Sequence, residues 1–169
     1  MNRVYLDYNA TTPVEPDVLD AMLPYFTADF GNASSIHTFG QKARDAVEAA
    51  REQVATLLGA RQQEIIFTSG GTESDNHAIF GIASPTSTAS TARPHVITTL
   101  VEHEAVLNAC QVLEKQGVDV TYLSVDQDGL IDLEDLRHAL RPETVLITVM
   151  HANNELGTVQ PLEEIGRIA

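Results

Sequence analysis

Apolar positions recur along this chain with two different spacings. Between residues 40 and 58 they fall at Ala43, Ala46, Val47, Ala50, Val54, Leu57 and Leu58. That is the i, i+3, i+4, i+7 pattern that winds one apolar stripe along a helix. Gly59 follows as a C′ stop, because a residue without Cβ enters the left-handed region cheaply. Short β-type runs then recur at residues 65–68, 95–99, 118–123 and 145–150. Helical patterns follow the first three of these, at residues 72–83, 103–116 and 133–140. A further helix is predicted over 161–169, with Pro161 near its first turn. Ahead of these elements, residues 4–6 form a short strand candidate, 15–25 a helix and 30–37 a polar loop. Residues 84–91 are low in complexity and predict a mobile loop.

Strands alternating with helices imply βαβ units, hence an α/β fold with a mostly parallel sheet and helices on both faces. In such sheets ligands sit at the carboxyl ends of the strands. The pattern stops nine residues after Pro161, just where a further strand is due. Four short strands with a cut last helix would leave apolar faces uncovered, so the expectation is an N-terminal fragment or one half of a larger unit.

Composition narrows the function classes. With 169 residues, 43% of them hydrophobic, the chain has material for one ordinary core. Ten Lys and Arg against 24 Asp and Glu give a formal charge of −14, which argues against a nucleic-acid partner held through its phosphates. One cysteine excludes an internal disulfide. No signal-peptide pattern and no long apolar run are present, so the expected location is the cytoplasm, with no membrane span. Asn9-Ala10-Thr11 and Asn32-Ala33-Ser34 fit the glycosylation pattern, which without export is a chance match.

Three turns follow predicted strands and so face one rim of the sheet. Ser69-Gly70-Gly71-Thr72 leads into a helix. It is either an ordinary glycine turn or a phosphate cradle, in which helix N–H groups, close backbone approach and the Thr72 hydroxyl meet an anion. Neither a P-loop lysine nor a G-x-G-x-x-G pattern accompanies it. In Glu102-His103-Glu104, His103 opens a helix and is either a capping, solvated side chain or an acid/base and stacking platform. Adjacent residues of a helix do not converge on one ion, so a metal site is not expected. Asn153-Asn154-Glu155-Leu156-Gly157 suits a tight turn with Gly157 left-handed, or an amide donating to a ligand. Cys110 shares a helix stripe with Val106 and Leu113 and reads as a buried, unreactive thiol. The two lysines, Lys42 and Lys115, read as solvated surface residues.

Five stretches, in order, carry a resemblance. They are Tyr5-Leu6-Asp7-Tyr8-Asn9-Ala10-Thr11-Thr12-Pro13; Gly31-Asn32-Ala33-Ser34-Ser35-Ile36-His37; Phe67-Thr68-Ser69-Gly70-Gly71-Thr72-Glu73-Ser74-Asp75-Asn76; Glu102-His103-Glu104-Ala105-Val106; and Met150-His151-Ala152-Asn153-Asn154-Glu155-Leu156-Gly157. Together they resemble the N-terminal part of cysteine desulfurases of the NifS/IscS type. These are fold-type I enzymes of the class V aminotransferase family that use pyridoxal 5′-phosphate. The resemblance implies most of the large domain over 13–169, with 1–12 packing toward a smaller domain. It implies Gly71 and Thr72 as the phosphate-binding pair, His103 as the histidine stacked on the cofactor ring and moving protons, and Asn154 as the amide bonded to its phenolic oxygen. The family reaction converts L-cysteine to alanine and an enzyme persulfide, with a homodimeric enzyme and iron–sulfur scaffold proteins as sulfur acceptors.

The Schiff-base lysine, the Asp at the pyridine nitrogen, the substrate arginine and the acceptor cysteine of that family all follow the point where this sequence ends. Neither Lys42, Lys115 nor Cys110 aligns with them. The expectation is therefore that residues 1–169 alone do not desulfurate cysteine. Other readings are a selenocysteine lyase or another class V relative, a non-catalytic half that assembles with a second polypeptide, or a simple phosphate-binding α/β domain.

Overall fold

The computed structural model describes residues 3–85 and 93–169. Most of the low-complexity stretch 84–91 lies outside the described residues. The chain divides into two compact units, Met1–Phe67 and Thr68–Ala169.

The first unit holds α1 (Pro16–Thr27), α2 (Thr38–Leu58) and one 3₁₀ turn (Gln62–Glu64). His37 caps α2, its ring Nδ1 accepting from the Gly40 N–H at 3.4 Å. Gly59 ends the helix at φ 64°, the left-handed stop its position predicted. The polar segment after α1 folds back tightly on the first turn of α2. A Cβ on Gly40 would stand 2.4 Å from the Ser35 carbonyl oxygen and 2.7 Å from that of Asn32. Downstream, Arg51 donates to the Ile65 carbonyl at 2.5 Å and lies 4.9 Å from the Phe67 ring centroid. Few side chains here are buried: none in α1, and only Gly40 and Ala55 in α2.

The second unit carries α3 (Gly71–Ala83), β1 (His95–Thr99), α4 (Glu104–Lys115), β2 (Asp119–Leu123), α5 (Leu133–Ala139), β3 (Thr144–Ile147) and α6 (Leu162–Ile168). The strands are all parallel, in the order β2-β1-β3. Every residue of the central strand is buried. Because side chains alternate along a strand, Val96 and Ile97 point to opposite faces. Val96 packs with Ile79, Ala83, Val106, Ala109, Cys110 and Leu113 of α3 and α4. Ile97 packs with Leu123, Ile131, Leu136 and Ile165, which brings in α5 and α6. Helices thus cover both faces, as the alternating pattern predicted.

The topology explains that division. From β1 the chain steps one way across the sheet to β2, and then back past β1 to β3. Right-handed crossovers in opposite directions put their helices on opposite faces. The helix between β1 and β2, α4, therefore lies on one face, and the helix between β2 and β3, α5, on the other, where α6 joins it. The crevice between the carboxyl ends of these neighbouring strands is a topological switch point, where ligands of open α/β sheets bind.

At the other end of β1, the buried His95 ties all three strands. Its Nδ1 lies 2.8 Å from Thr144 Oγ1 of β3 and its Nε2 2.8 Å from Thr121 Oγ1 of β2.

Two expected strands are absent. Residues 4–6 and 65–68 have no ladder partner among the described residues, and an extended run becomes a strand only by pairing. β3 also stops at Ile147, three residues before the apolar run does. Beyond it, the Met150 N–H is taken by the Glu102 carboxylate rather than by a neighbouring strand.

Candidate functional site

The switch-point crevice is a depression of about 440 Å³, lined by Val101, Glu102, His103, Glu104, Asn153, Asn154, Glu155 and Leu156. Each wall is one of the predicted turns.

The first wall is the turn after β1. His103 caps α4, its Nδ1 accepting from the Ala105 N–H at 3.1 Å. An accepting Nδ1 carries no proton, so the neutral ring holds its proton on Nε2. The imidazole is exposed, so capping and ligand contact are compatible roles for it. Glu102, by contrast, is only 8% exposed. Its Oε1 accepts from Thr99 Oγ1 at 3.1 Å and from the Met150 N–H at 2.6 Å. Burial holds the Glu102 carboxyl above the ordinary glutamate value, the Met150 and Thr99 bonds pull it back down, and the Asp75 carboxylate raises it.

The second wall is the turn after β3, and Asn153 builds it. Its side-chain oxygen accepts from the Glu155 and Leu156 N–H groups at 2.9 and 2.8 Å. Its Nδ2 donates to the Val101 carbonyl at 3.1 Å, which ties this turn to the first. The Gly157 N–H closes onto the Asn153 carbonyl at 2.8 Å with φ 77°, the left-handed geometry expected of that glycine. Asn154 is presented at the exposed crest of this turn.

The glycine turn opens α3, with Gly71 and Thr72 as its first two residues. Side chains stitch it in place. Ser69 donates from both its N–H and its hydroxyl to Glu73 Oε2 at 2.6 Å, and this pair of bonds lowers the Glu73 carboxyl from its ordinary value. Thr68 Oγ1 and Ser74 Oγ lie 2.7 Å apart, and each hydroxyl donates to the Gly70 carbonyl. The first N–H groups of the helix have no intrahelical acceptor. A Cβ on Gly70 or Gly71 would meet nothing within 4 Å among the described residues, so their packing requires neither glycine.

The structure therefore brings His103 and Asn154 to one depression. Gly71 and Thr72 do not line it; they stand one turn ahead of Asp75, whose charge acts on Glu102. A helix N-terminus with a hydroxyl, a flat imidazole with a proton on Nε2, and a carboxamide form a donor set suited to a phosphorylated aromatic ring bearing an oxygen. By that chemistry the residues fit pyridoxal phosphate.

Sequence reasoning missed Glu102 and Asn153. Glu102 stood in a Glu-His-Glu run weighed only for metal, although Thr99 three residues before it was a ready donor. The asparagine pair was weighed as a pair, while the Asx turn singles out the first member, whose oxygen reaches N–H groups two and three residues on.

The other reactive side chains lie elsewhere. Cys110 is fully buried and burial pushes its thiol up to about 11. Lys42 pairs with Asp29 on the first unit. Lys115 is exposed in the last turn of α4, the opposite end of that helix from His103. Among the described residues no helix is long and apolar enough to cross a membrane.

Comparison with known proteins gives the family and the fold. The family model described as aminotransferase class-V matches residues 4–169. The cysteine desulfurase IscS of Dictyoglomus turgidum is 54% identical over 167 residues, which cover 99% of this chain and 42% of that protein. The putative cysteine desulfurase IscS 1 of Bacillus subtilis is 52% identical over 168 residues, 99% of this chain and 44% of that protein. Among solved structures, a NifS-like protein superposes with a TM-score of 0.93 at 41% identity, covering 99% of this chain and 45% of that one. SspA, solved in complex with cysteine, gives 0.89 at 47% identity, covering 98% and 47%. The chain spans less than half the length of these relatives.

Proposed function

Because the chain belongs to the class V aminotransferase family, we propose that it forms the N-terminal portion of a pyridoxal phosphate-dependent cysteine desulfurase. The observation that carries this reading is the convergence of His103 and Asn154 on the switch-point depression, with Asp75 of α3 acting by its charge on Glu102 in the depression's wall. When bound, pyridoxal phosphate supplies an electron sink for the carbon next to the substrate's amino group.

This chain's part is to hold and orient. The N–H groups of the first turn of α3 and the Thr72 hydroxyl receive the phosphate, where the helix dipole favours an anion. His103 stacks its imidazole on the ring and exchanges a proton through Nε2. Asn154 donates its amide to the phenolic oxygen. L-cysteine is the substrate and an iron–sulfur scaffold protein the sulfur acceptor, in a homodimeric assembly.

Residues 1–169 are proposed not to complete the reaction alone. Lys42 is paired with Asp29, Lys115 stands at the far end of α4 from His103, and Cys110 is buried with a raised thiol pKa, unsuited to accept sulfur. The test has two arms. Titration of pyridoxal phosphate into the chain, followed by ³¹P NMR, is expected to show saturable binding that Thr72→Ala and Asn154→Ala each weaken. Incubation with cysteine and the cofactor is expected to yield no alanine. Binding indifferent to both substitutions would overturn the site assignment, and sustained alanine formation would overturn the claim of incompleteness.

A further inference from the structure

Both walls of the depression are loops, yet the two groups they present must keep a fixed separation to share one ligand. The structure ties the walls together at two points. One is the Asn153 Nδ2 to Val101 carbonyl bond at 3.1 Å. The other is the 2.6 Å bond from the Met150 N–H to Glu102 Oε1, which also accepts from Thr99 Oγ1. Glu102 immediately precedes His103, and Met150 lies four residues before Asn154. The carboxylate thus spans from the end of the central strand to the exit of its neighbour, one residue before His103 and four before Asn154 along the two walls.

Keeping a carboxylate in this place costs the fold something. A glutamate at 8% exposure, near a second carboxylate at Asp75, gives up hydration that a leucine would not. Plain packing of the crevice floor would be better served by an apolar side chain. An ionised acceptor forms a short, directional bond to a backbone N–H, and direction is what the second wall needs.

We propose that Glu102 is a positioning residue, a clamp that sets where Asn154 stands relative to His103. The assignment rests on the site reading above, since the separation matters only if one ligand meets both residues. The clamp itself is tested without any ligand.

Amide hydrogen exchange is measured residue by residue on the whole 169-residue chain and on Glu102→Ala and Glu102→Gln. In Glu102→Ala, exchange at Met150, Glu155 and Leu156 is expected to accelerate about tenfold, the effect of losing a charge-assisted bond on local opening. Ile97, in the core of β1, should keep its rate once global stability is matched with a stabilising osmolyte. Glu102→Gln retains an acceptor oxygen and is expected to restore most of the protection. A merely structural role would move Ile97 together with Met150, in proportion to the loss of stability, and that result would overturn the clamp. Unchanged rates at Met150 in Glu102→Ala would overturn it too. Titration of pyridoxal phosphate into the same variants separates the two readings. An exchange response in a chain that binds no pyridoxal phosphate leaves the clamp standing and sinks the cofactor site. Binding that is weakened about tenfold in Glu102→Ala and regained in Glu102→Gln supports both.

Discussion

Replacing His95 with leucine tests how the sheet beneath the site is held. His95 is fully buried, and its two ring nitrogens meet Thr144 and Thr121 hydroxyls at 2.8 Å on either side. Leucine fills similar space but removes both bonds, leaving Thr144 Oγ1 only the Arg141 N–H, a loss of about 1–3 kcal/mol near neutral pH for two net hydrogen bonds. The size of that loss depends on pH in a defined direction. Burial chiefly, with the Arg141 charge, lowers the His95 pKa below the ordinary 6.5, against the opposing effect of Asp119 and Glu143. The unfolded chain therefore binds the proton first as pH falls. The stability His95 contributes is complete above pH 6.5 and is lost as pH drops through 6.5 toward the folded-state pKa. Between pH 8 and 5.5 that loss is at most about 1.4 kcal/mol, the limit set by proton binding to the unfolded chain alone. Urea unfolding of both proteins at several pH values measures it. The two proteins differ only at residue 95, so the difference between the two curves isolates His95. The gap is expected to be widest at pH 8 and to narrow toward pH 5.5. A gap that stays constant would mean that folding leaves the His95 pKa unshifted, and one that widens in acid that folding raises it; either result would refute the reasoning.

Cys110, fully buried with its thiol pushed up to about 11 from 9.0, is expected to react with a disulfide reagent about 100-fold more slowly than the unfolded chain at pH 8, from thiolate fraction alone. Comparable rates with and without guanidinium would refute its burial. Gly40→Ala forces a Cβ against two backbone carbonyls at 2.4 and 2.7 Å and is expected to lower stability by about 1–3 kcal/mol in thermal unfolding. An unchanged midpoint would mean that the 30–37 loop is free to move off α2.

The legible parts of this fold were those set by local periodicity. α2 could be read from a stripe of seven apolar positions and one glycine stop, because both signals lie within the helix itself. β1 could be read because a fully buried central strand is apolar or β-branched almost throughout. The run at 65–68 has the same local character and is no strand, because pairing is decided by a distant neighbour that no short window contains. The site divided in the same way. His103 and Asn154 stand out at strand ends, whereas Glu102 and Asn153 act through Met150 and Val101, about fifty residues away along the chain. Burial of an acid behind a histidine is a tertiary fact, visible only once β1 and β3 are neighbours.

The glycines separate what the fold requires from what a ligand would require. At Gly31 and Gly40 a Cβ would strike backbone atoms of this chain at 2.4 Å, so packing alone accounts for both. At Gly70 and Gly71 it would strike nothing within 4 Å among the described residues, and neither residue needs the left-handed region. Alanine also suits a helix better than glycine, by up to about 1 kcal/mol in an interior and less at a first turn. By conformational preference alone, the start of α3 would do at least as well with alanine. Gly71→Ala is accordingly expected to leave the unfolding midpoint unchanged or slightly raised. Under the proposed function the same methyl group stands where the phosphate approaches the helix N–H groups. Pyridoxal phosphate affinity is then expected to fall roughly tenfold, equivalent to about 1.4 kcal/mol. A loss of stability with no loss of affinity would assign Gly71 to the fold and remove the phosphate from this turn. Stability retained with affinity lost is the outcome that a glycine kept for an anion predicts.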